Sequence, residues 1–287
     1  MLQLLIECNK NDAEALSDWL EQKNAVSIMF TDKYDDAILE PDIGTTPLWA
    51  NVVVQALFQE QQEAESALAS IKDCFPYINP RIEPLPEQDW QRAWMSHFTP
   101  IKFGEKLWIC PSWVDAPEPD AANLILDPGL AFGTGAHPTT SLCLSWIASA
   151  DVESEKIIDF GCGSGILSLA ALKLGAKQVM AVDIDEQALT ATRQNAIKNE
   201  INDTQLKTSQ PDVLNEKVDL LIANILLRPL ISLKPRFREL LHDDGLLVVS
   251  GILEVQCSEL IELYEDTFTH QSTTIQDEWA LMVFKAK

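Results

Sequence analysis

The first 85 residues alternate between two spacings of apolar side chains, and this alternation predicts a small domain of mixed strands and helices. Apolar and β-branched runs predict four strands, at residues 2–6, 25–30, 48–58 and 81–85. Apolar residues three and four positions apart predict two helices, at residues 12–22 and 60–73. The order strand, helix, strand, strand, helix, strand is that of a split βαβ unit, so we expect a ferredoxin-like α+β domain.

Two prolines, Pro84 and Pro86, follow this pattern and mark its end. Residues 87–98 then place two tryptophans and a phenylalanine four positions apart. This spacing predicts a linker helix whose aromatic stripe packs on a neighbouring domain. We therefore assign three segments: a ferredoxin-like domain at 1–86, the linker helix at 87–99 and a second, larger domain at 100–287.

The second domain repeats the order strand, helix, strand several times, which is typical of a doubly wound α/β fold. Strands are predicted at 108–110, 157–160, 179–182, 204–208, 218–224 and 245–250. Helices are predicted at 166–174, 186–198, 229–241 and 254–265, and a further helix opens at Pro138. Residues 267–275 and 278–285 have the pattern of a closing hairpin. The expected fold is a Rossmann-like α/β domain with a mostly parallel sheet and one antiparallel closing strand.

Three glycines, Gly161, Gly163 and Gly165, lie between a predicted strand and the helix that follows it. Without a Cβ they allow a tight turn and a close approach of a ligand to the backbone. A dinucleotide fingerprint would need its third glycine at position 166, which is Ile166 in this chain. Asp159, just before the turn, would repel a pyrophosphate but suits the ammonium of a methionine moiety. The turn therefore predicts a site for S-adenosylmethionine.

Two polar residues at the ends of later strands extend the predicted site. Asp183 closes the next apolar run, 22 positions after Gly161. That distance is close to the roughly 20 positions expected of an acid that binds ribose hydroxyls. Asn224 ends the strongly apolar strand at 218–224. Because ligands of such sheets bind beyond the carboxyl ends of the strands, we expect Gly161, Asp183 and Asn224 to lie together.

A second glycine-rich segment, residues 127–140, precedes the strand that leads into the glycine turn. Its glycines surround Phe132, and we expect the segment to cover the donor crevice. Thr140 lies in the first turn of the helix that opens at Pro138 and can offer a hydroxyl to the donor. We interpret His137 as a cap of this helix rather than as a base, and no second residue beside it suggests a metal ligand.

Composition and charge exclude several classes of function. The chain has a net charge of −23, and residues 1–89 hold 17 acidic against 5 basic side chains. Such a surface repels nucleic-acid phosphates and attracts basic partners. The strongly apolar stretch at 220–227, which contains Asn224, is too short for a bilayer, and the six cysteines form no C-x-x-C pair. We therefore expect a cytoplasmic protein that binds a basic partner and binds neither nucleic acid, nor a membrane, nor a metal.

These motifs closely resemble those of the PrmA type of bacterial protein methyltransferase. The resemblance extends over essentially the full length and rests on four runs: Asp127 to Thr140, Ile158 to Leu167, Asp183 to Asp185, and Ala223 to Leu226. It implies a class I methyltransferase domain that takes its methyl group from S-adenosylmethionine. It further implies methylation of lysine side chains and of the α-amine of ribosomal large-subunit protein eleven, a basic protein recognised by the amino-terminal domain.

Together with the glycine-turn argument, the resemblance leads to six predicted donor contacts: Thr140, Asp159, Gly161, Gly163, Asp183 and Asn224. Asn224 is also the candidate catalytic residue, because its side-chain oxygen can orient the attacking nitrogen. It is followed by Ile225 and Leu226 rather than by the Pro-Pro-Tyr of many amino-group methyltransferases, so the motif alone does not fix a catalytic role.

Four other functions stay open on the residues alone. Ile166 and Asp159 count against a nucleotide-dependent dehydrogenase, and the acidic charge counts against a nucleic-acid methyltransferase. The completeness of the donor site counts against a non-catalytic binding module. The nearest alternative is a methyltransferase that acts on a small amine or on another basic protein.

Overall fold

The computed structural model describes residues 1–34, 38, 45–85, 98–127, 135–153 and 155–287. The chain forms two compact units, Met1–Ala93 and Trp94–Lys287, and each unit has its own buried apolar core. The predicted linker helix falls outside the described residues except at its last two positions, and so does Phe132.

The first unit has the predicted order of elements. Its elements are β1 (Leu2–Asn9), α1 (Lys10–Gln22), β2 (Ser27–Asp32), β3 (Asn51–Phe58), α2 (Gln61–Cys74) and β4 (Pro80–Pro84). The strands form an antiparallel sheet in the order β2-β3-β1-β4. This order is the one that a split βαβ unit produces, and the predicted ferredoxin-like domain is confirmed.

Alternation along β3 shows why this segment forms a strand with one covered face. Val52, Val54, Ala56 and Phe58 are buried, whereas the residues between them are only partly covered. The four buried side chains share a core with the apolar faces of α1 and α2, including Leu16, Leu20, Ala64, Ala67 and Ile71. A period of two on the strand and of three to four on the helices places all these residues in one layer.

The second unit contains two sheets. A three-stranded sheet consists of β5 (Ile101–Phe103), β6 (Leu107–Cys110) and β7 (Ala122–Ile125). The larger part then runs α3 (Pro138–Ser149), β8 (Lys156–Phe160), α4 (Ile166–Lys173), β9 (Gln178–Val182), α5 (Glu186–Lys198), β10 (Leu206–Ser209), β11 (Val218–Asn224), α6 (Leu227–Leu240), β12 (Leu241–Leu253), α7 (Cys257–Tyr264), β13 (Phe268–Gln276) and β14 (Trp279–Ala286).

The seven-stranded sheet has the order β10-β9-β8-β11-β12-β14-β13. The first five strands pair in parallel, and β14 lies antiparallel between β12 and β13. The predicted mostly parallel sheet with an antiparallel closing strand is therefore confirmed. Apolar cores cover both faces, and neighbouring residues of β11 alternate between them: Leu220 and Ile222 face one, Leu221 and Ala223 the other. Burial on both faces explains the unbroken apolar run of this strand.

Some predicted boundaries were wrong. β12 begins at Leu241, directly after α6, and reaches Leu253, whereas the pattern predicted only 245–250. The predicted helix at 254–265 begins as a 3₁₀ turn, Glu254–Gln256, before α7. The short strands β5 and β7 were not predicted, because three or four residues carry too little periodicity.

Within the described ranges, no helix combines the length and apolar character needed to cross a bilayer.

Candidate functional site

The candidate site lies where three neighbouring parallel strands end. Phe160 of β8 pairs with Val182 of β9, and Ile222 of β11 pairs with Asp159, so the carboxyl ends of these strands meet at one edge of the sheet. A cavity of about 330 Å³ opens at that edge, within the range of roughly 300–1,000 Å³ for small-molecule sites. Its lining comprises Thr140, Phe160, Gly161, Cys162, Gly163, Ile166, Leu167, Asp183, Ile184, Pro211, Asn224, Ile225, Pro229 and Leu233.

Five of the six predicted donor contacts line this one cavity: Thr140, Gly161, Gly163, Asp183 and Asn224. They come from four separate segments of the chain, up to 84 positions apart, so only the strand order brings them together. Asp159, the sixth, is not part of the lining. Sequence reasoning did not assign the apolar wall residues Ile184, Pro211 and Ile225 to the site. Their position just after polar strand ends and loops is the signal that could have identified them.

The loop of residues 161–165 needs glycine for two physical reasons. Gly161 and Gly165 have φ values of +83° and +80°, which side chains rarely adopt. A Cβ on Gly161 would lie 2.4 Å from Cγ2 of Ile225, and a Cβ on Gly165 would lie 2.8 Å from Cγ2 of Thr192. The turn is held against β9, because the backbone N–H groups of Gly161 and Cys162 both donate to the carbonyl of Val182, at 2.8 and 3.0 Å.

Asp183 is oriented by backbone groups on both sides. Its Oδ2 accepts a hydrogen bond from the N–H of Gly163 at 3.0 Å, and its Oδ1 accepts one from the N–H of Asp185 at 3.0 Å. A carboxylate offers about four lone-pair sites, so two acceptor sites remain beyond these two bonds. The side chain can therefore anchor the glycine loop and still accept two hydroxyl groups of a ligand.

Thr140 and Asn224 form a polar pair in the lining of the cavity. Thr140 is fully buried in the first turn of α3, and its Oγ1 accepts a hydrogen bond from Nδ2 of Asn224 at 3.4 Å. Because this bond uses the amide nitrogen, Oδ1 of Asn224 is the atom left to accept an N–H from a bound amine. The arrangement fits the predicted orienting role, which stays a prediction.

Asp159 is buried beneath the glycine loop and is 1% exposed. Its Oδ2 accepts two hydrogen bonds from Ser168, from the N–H at 3.0 Å and from the hydroxyl at 2.6 Å. Burial, with a smaller contribution from the charge of Asp183, raises the pKa of the Asp159 carboxyl to about 6, although the bonds from Ser168 oppose the shift. Oδ1 is buried and has no hydrogen-bond partner among the described residues. An unpaired buried acceptor is costly, so this atom is suited to a cationic group of a ligand.

His137 caps α3, as the sequence indicated. Its Nδ1 accepts from the N–H of Thr139 at 3.4 Å and lies 2.8 Å from the Thr139 hydroxyl. Burial lowers the pKa of His137, which favours the neutral imidazole, and a neutral ring with its proton on Nε2 accepts through Nδ1. Among the described residues, no cluster of three histidine, cysteine or acidic side chains could hold a metal ion.

Comparison with known proteins identifies the family of this chain. A family model described as "Ribosomal protein L11 methyltransferase (PrmA)" matches residues 1–287. A ribosomal protein L11 methyltransferase of Legionella pneumophila is 54% identical over 286 residues, covering 99% of each chain. One of Shewanella baltica is 46% identical over 293 residues and covers 100% of this chain and 99% of its own.

One solved structure is also similar to this chain. The ribosomal protein L11 methylase from Lactobacillus delbrueckii subsp. bulgaricus is 36% identical, with a TM-score of 0.61, and the match covers 66% of this chain and 100% of that one. The full-length family match and the identity of the relatives indicate the same family. The chain therefore belongs to the PrmA family of ribosomal protein L11 methyltransferases.

Proposed function

We propose that this protein uses S-adenosylmethionine to methylate amino groups of ribosomal protein L11, both at lysine side chains and at the α-amine. One observation supports this most strongly. Thr140, the glycine loop, Asp183 and Asn224 converge on a single cavity in a chain that matches the methyltransferase family over its whole length. A methyltransferase that acts on a small amine remains the competing function.

The residues of the cavity fit the donor in three places. Asp183 has two acceptor sites left for the ribose hydroxyls. Ile184 and Pro211 offer apolar surface for the base. Beneath the glycine loop and outside the cavity lining, the unpaired Oδ1 of Asp159 suits the ammonium of the methionine part. Gly161 and Gly163 leave the backbone open to the methionine moiety.

When bound, S-adenosylmethionine supplies an activated methyl group on a positively charged sulfur. The protein needs little acid–base machinery, and its contribution is to align the incoming amine. We assign that alignment to Oδ1 of Asn224, which is fixed through the bond from Nδ2 to Thr140. Well-oriented reactions gain roughly 7–11 kcal/mol over free encounter. A lysine must lose its proton before it attacks, and the apolar lining of the cavity favours the neutral amine by desolvation.

Residues 1–86 are the proposed recognition domain for the protein substrate. Residues 1–89 carry 17 acidic and 5 basic side chains, and this excess of negative charge attracts a basic protein. The unit also has a core of its own, as expected of a module that recognises a partner separately from the donor site.

The proposal is tested by labelling a total extract of ribosomal proteins with a methyl-labelled donor. The intact chain is expected to label one band, at the size of L11. A chain that lacks residues 1–89 should leave that band unlabelled and still bind the donor, because every described residue of the cavity lining lies between positions 140 and 233. Normal labelling by the shortened chain would contradict the recognition domain. Labelling of small amines alone would favour the competing function.

The pKa of Asp159 leads to a second prediction, on proton release. An ammonium beside Oδ1 would favour the charged carboxylate and lower its pKa from about 6. Donor binding near pH 6 should therefore release a fraction of a proton, and donor affinity should fall as the pH drops below 6. Calorimetric titrations in buffers of different ionisation enthalpy measure this release. 5′-Methylthioadenosine, which lacks the ammonium, is the control, and equal proton release by both compounds would contradict the pairing.

A further inference from the structure

The glycine loop has almost no side chains with which to hold itself, yet it must keep one shape to bind a ligand. Helix α5 supplies the missing contacts. Thr192 and Asn195 lie three positions apart on this helix, so their side chains project from the same face toward the loop. Thr192 is fully buried.

Thr192 contacts three residues of the loop. Its hydroxyl donates to the carbonyl of Gly163 at 3.1 Å and lies 3.4 Å from the sulfur of Cys162. Because the hydroxyl proton goes to Gly163, the sulfur contact must be the thiol donating to the Thr192 oxygen. Burial raises the pKa of the Cys162 thiol and so keeps this proton in place. The methyl group of Thr192 occupies the space where a side chain on Gly165 would lie.

Asn195 holds a fourth residue of the loop, Ser164. Its Nδ2 donates to the carbonyl of Ser164 at 2.9 Å. With Asp183 bonded to the N–H of Gly163, every residue from 162 to 165 is fixed by α5 or by the acid just before it. A glycine-rich loop loses more conformational freedom on ordering than other loops, so fixing it before the ligand arrives favours binding.

We propose that Thr192 and Asn195 are positioning residues for the methyl donor: they hold the glycine loop in its binding conformation without touching the donor themselves. Neither residue lines the cavity. The inference rests on the donor assignment made under Proposed function and extends it to a helix outside the site.

Thr192→Val tests the proposal, because valine has nearly the same shape and replaces the hydroxyl with a methyl group that cannot hydrogen-bond. We expect about a tenfold rise in the donor Kd and KM, with little change in kcat at saturating donor. Thr192→Ser, which keeps the hydroxyl, should restore most of the affinity. Asn195→Leu should act in the same direction at a less buried position, and the double variant should lose affinity beyond either single change.

Tyr264→Phe is the matched control for a purely structural effect. It also removes one buried hydroxyl that donates to a backbone carbonyl, that of Leu230, at 2.7 Å. The control should lower the melting temperature and leave the donor Kd unchanged. Equal donor affinity in wild type and Thr192→Val, or an equal loss in Tyr264→Phe, overturns the positioning role. Failure of the wild-type chain to bind any donor would instead overturn the donor assignment itself.

Discussion

Asp183→Ala is expected to raise the donor Kd by at least about 100-fold. The carboxylate has two acceptor sites left for ribose hydroxyls after its bonds to Gly163 and Asp185. Hydrogen bonds to a charged group contribute roughly 1.5–3 kcal/mol each, and every 1.4 kcal/mol is a factor of about ten. Loss of the bond to Gly163 also frees the glycine loop. Equilibrium binding of S-adenosylhomocysteine to the intact protein measures the effect.

The exposed Asp203 provides a control for the change in charge. Asp203→Ala removes the same group from the surface of the same unit and should leave the Kd near that of the wild type. Asp183→Asn should fall between wild type and alanine, since an amide keeps one acceptor oxygen and loses the charge. An Asp183→Ala protein that is folded and binds the donor with unchanged affinity would contradict the ribose assignment.

Asn224→Ala is expected to lower kcat by about 100- to 1,000-fold, the usual range for removing one preorganised group that acts on the reacting atoms. The donor Kd should change far less, because the proposed partner of Oδ1 is the incoming amine. Thr140→Val should act in the same direction with a smaller effect, since it removes the hydrogen bond that fixes the amide of Asn224. Single-turnover methylation of the protein substrate, together with donor binding, separates the two quantities.

Asn215→Ala, at an exposed position, is the control for loss of an asparagine. A normal kcat in Asn224→Ala would remove the orienting role. A loss confined to donor affinity would reassign Asn224 to the donor site alone.

Strong periodicity explains which elements could be predicted. The bounds of α5, Glu186–Lys198, and β11, Val218–Asn224, agree with the prediction to the residue. Both elements have a sustained apolar pattern with a polar residue at one boundary. Asp185 lies directly before α5, and Asn224 ends β11. The N-cap of α5, Asp185, accepts from the N–H of Gln187 as such a residue should. Local chemistry and tertiary structure agree at these positions.

Other features depend on contacts that no local pattern contains. β12 continues to Leu253 because it pairs with β11 on one side and with β14 on the other. The strand order of the sheet, and no local pattern, makes β14 its neighbour. The contacts of Thr192 and Asn195 with the glycine loop span 29 to 31 positions and follow from the packing of α5 beside β9. The buried state of Asp159 likewise depends on the bonds from Ser168 and on the covering helix rather than on its motif.

A crystal structure of the protein with S-adenosylhomocysteine tests the central claim most directly. The account predicts the ribose hydroxyls on the carboxylate of Asp183, the ammonium at Oδ1 of Asp159 and the sulfur on the side of the cavity that holds Asn224. The compound bound at another surface, with the cavity between the glycine loop and Asn224 left empty, would contradict the account.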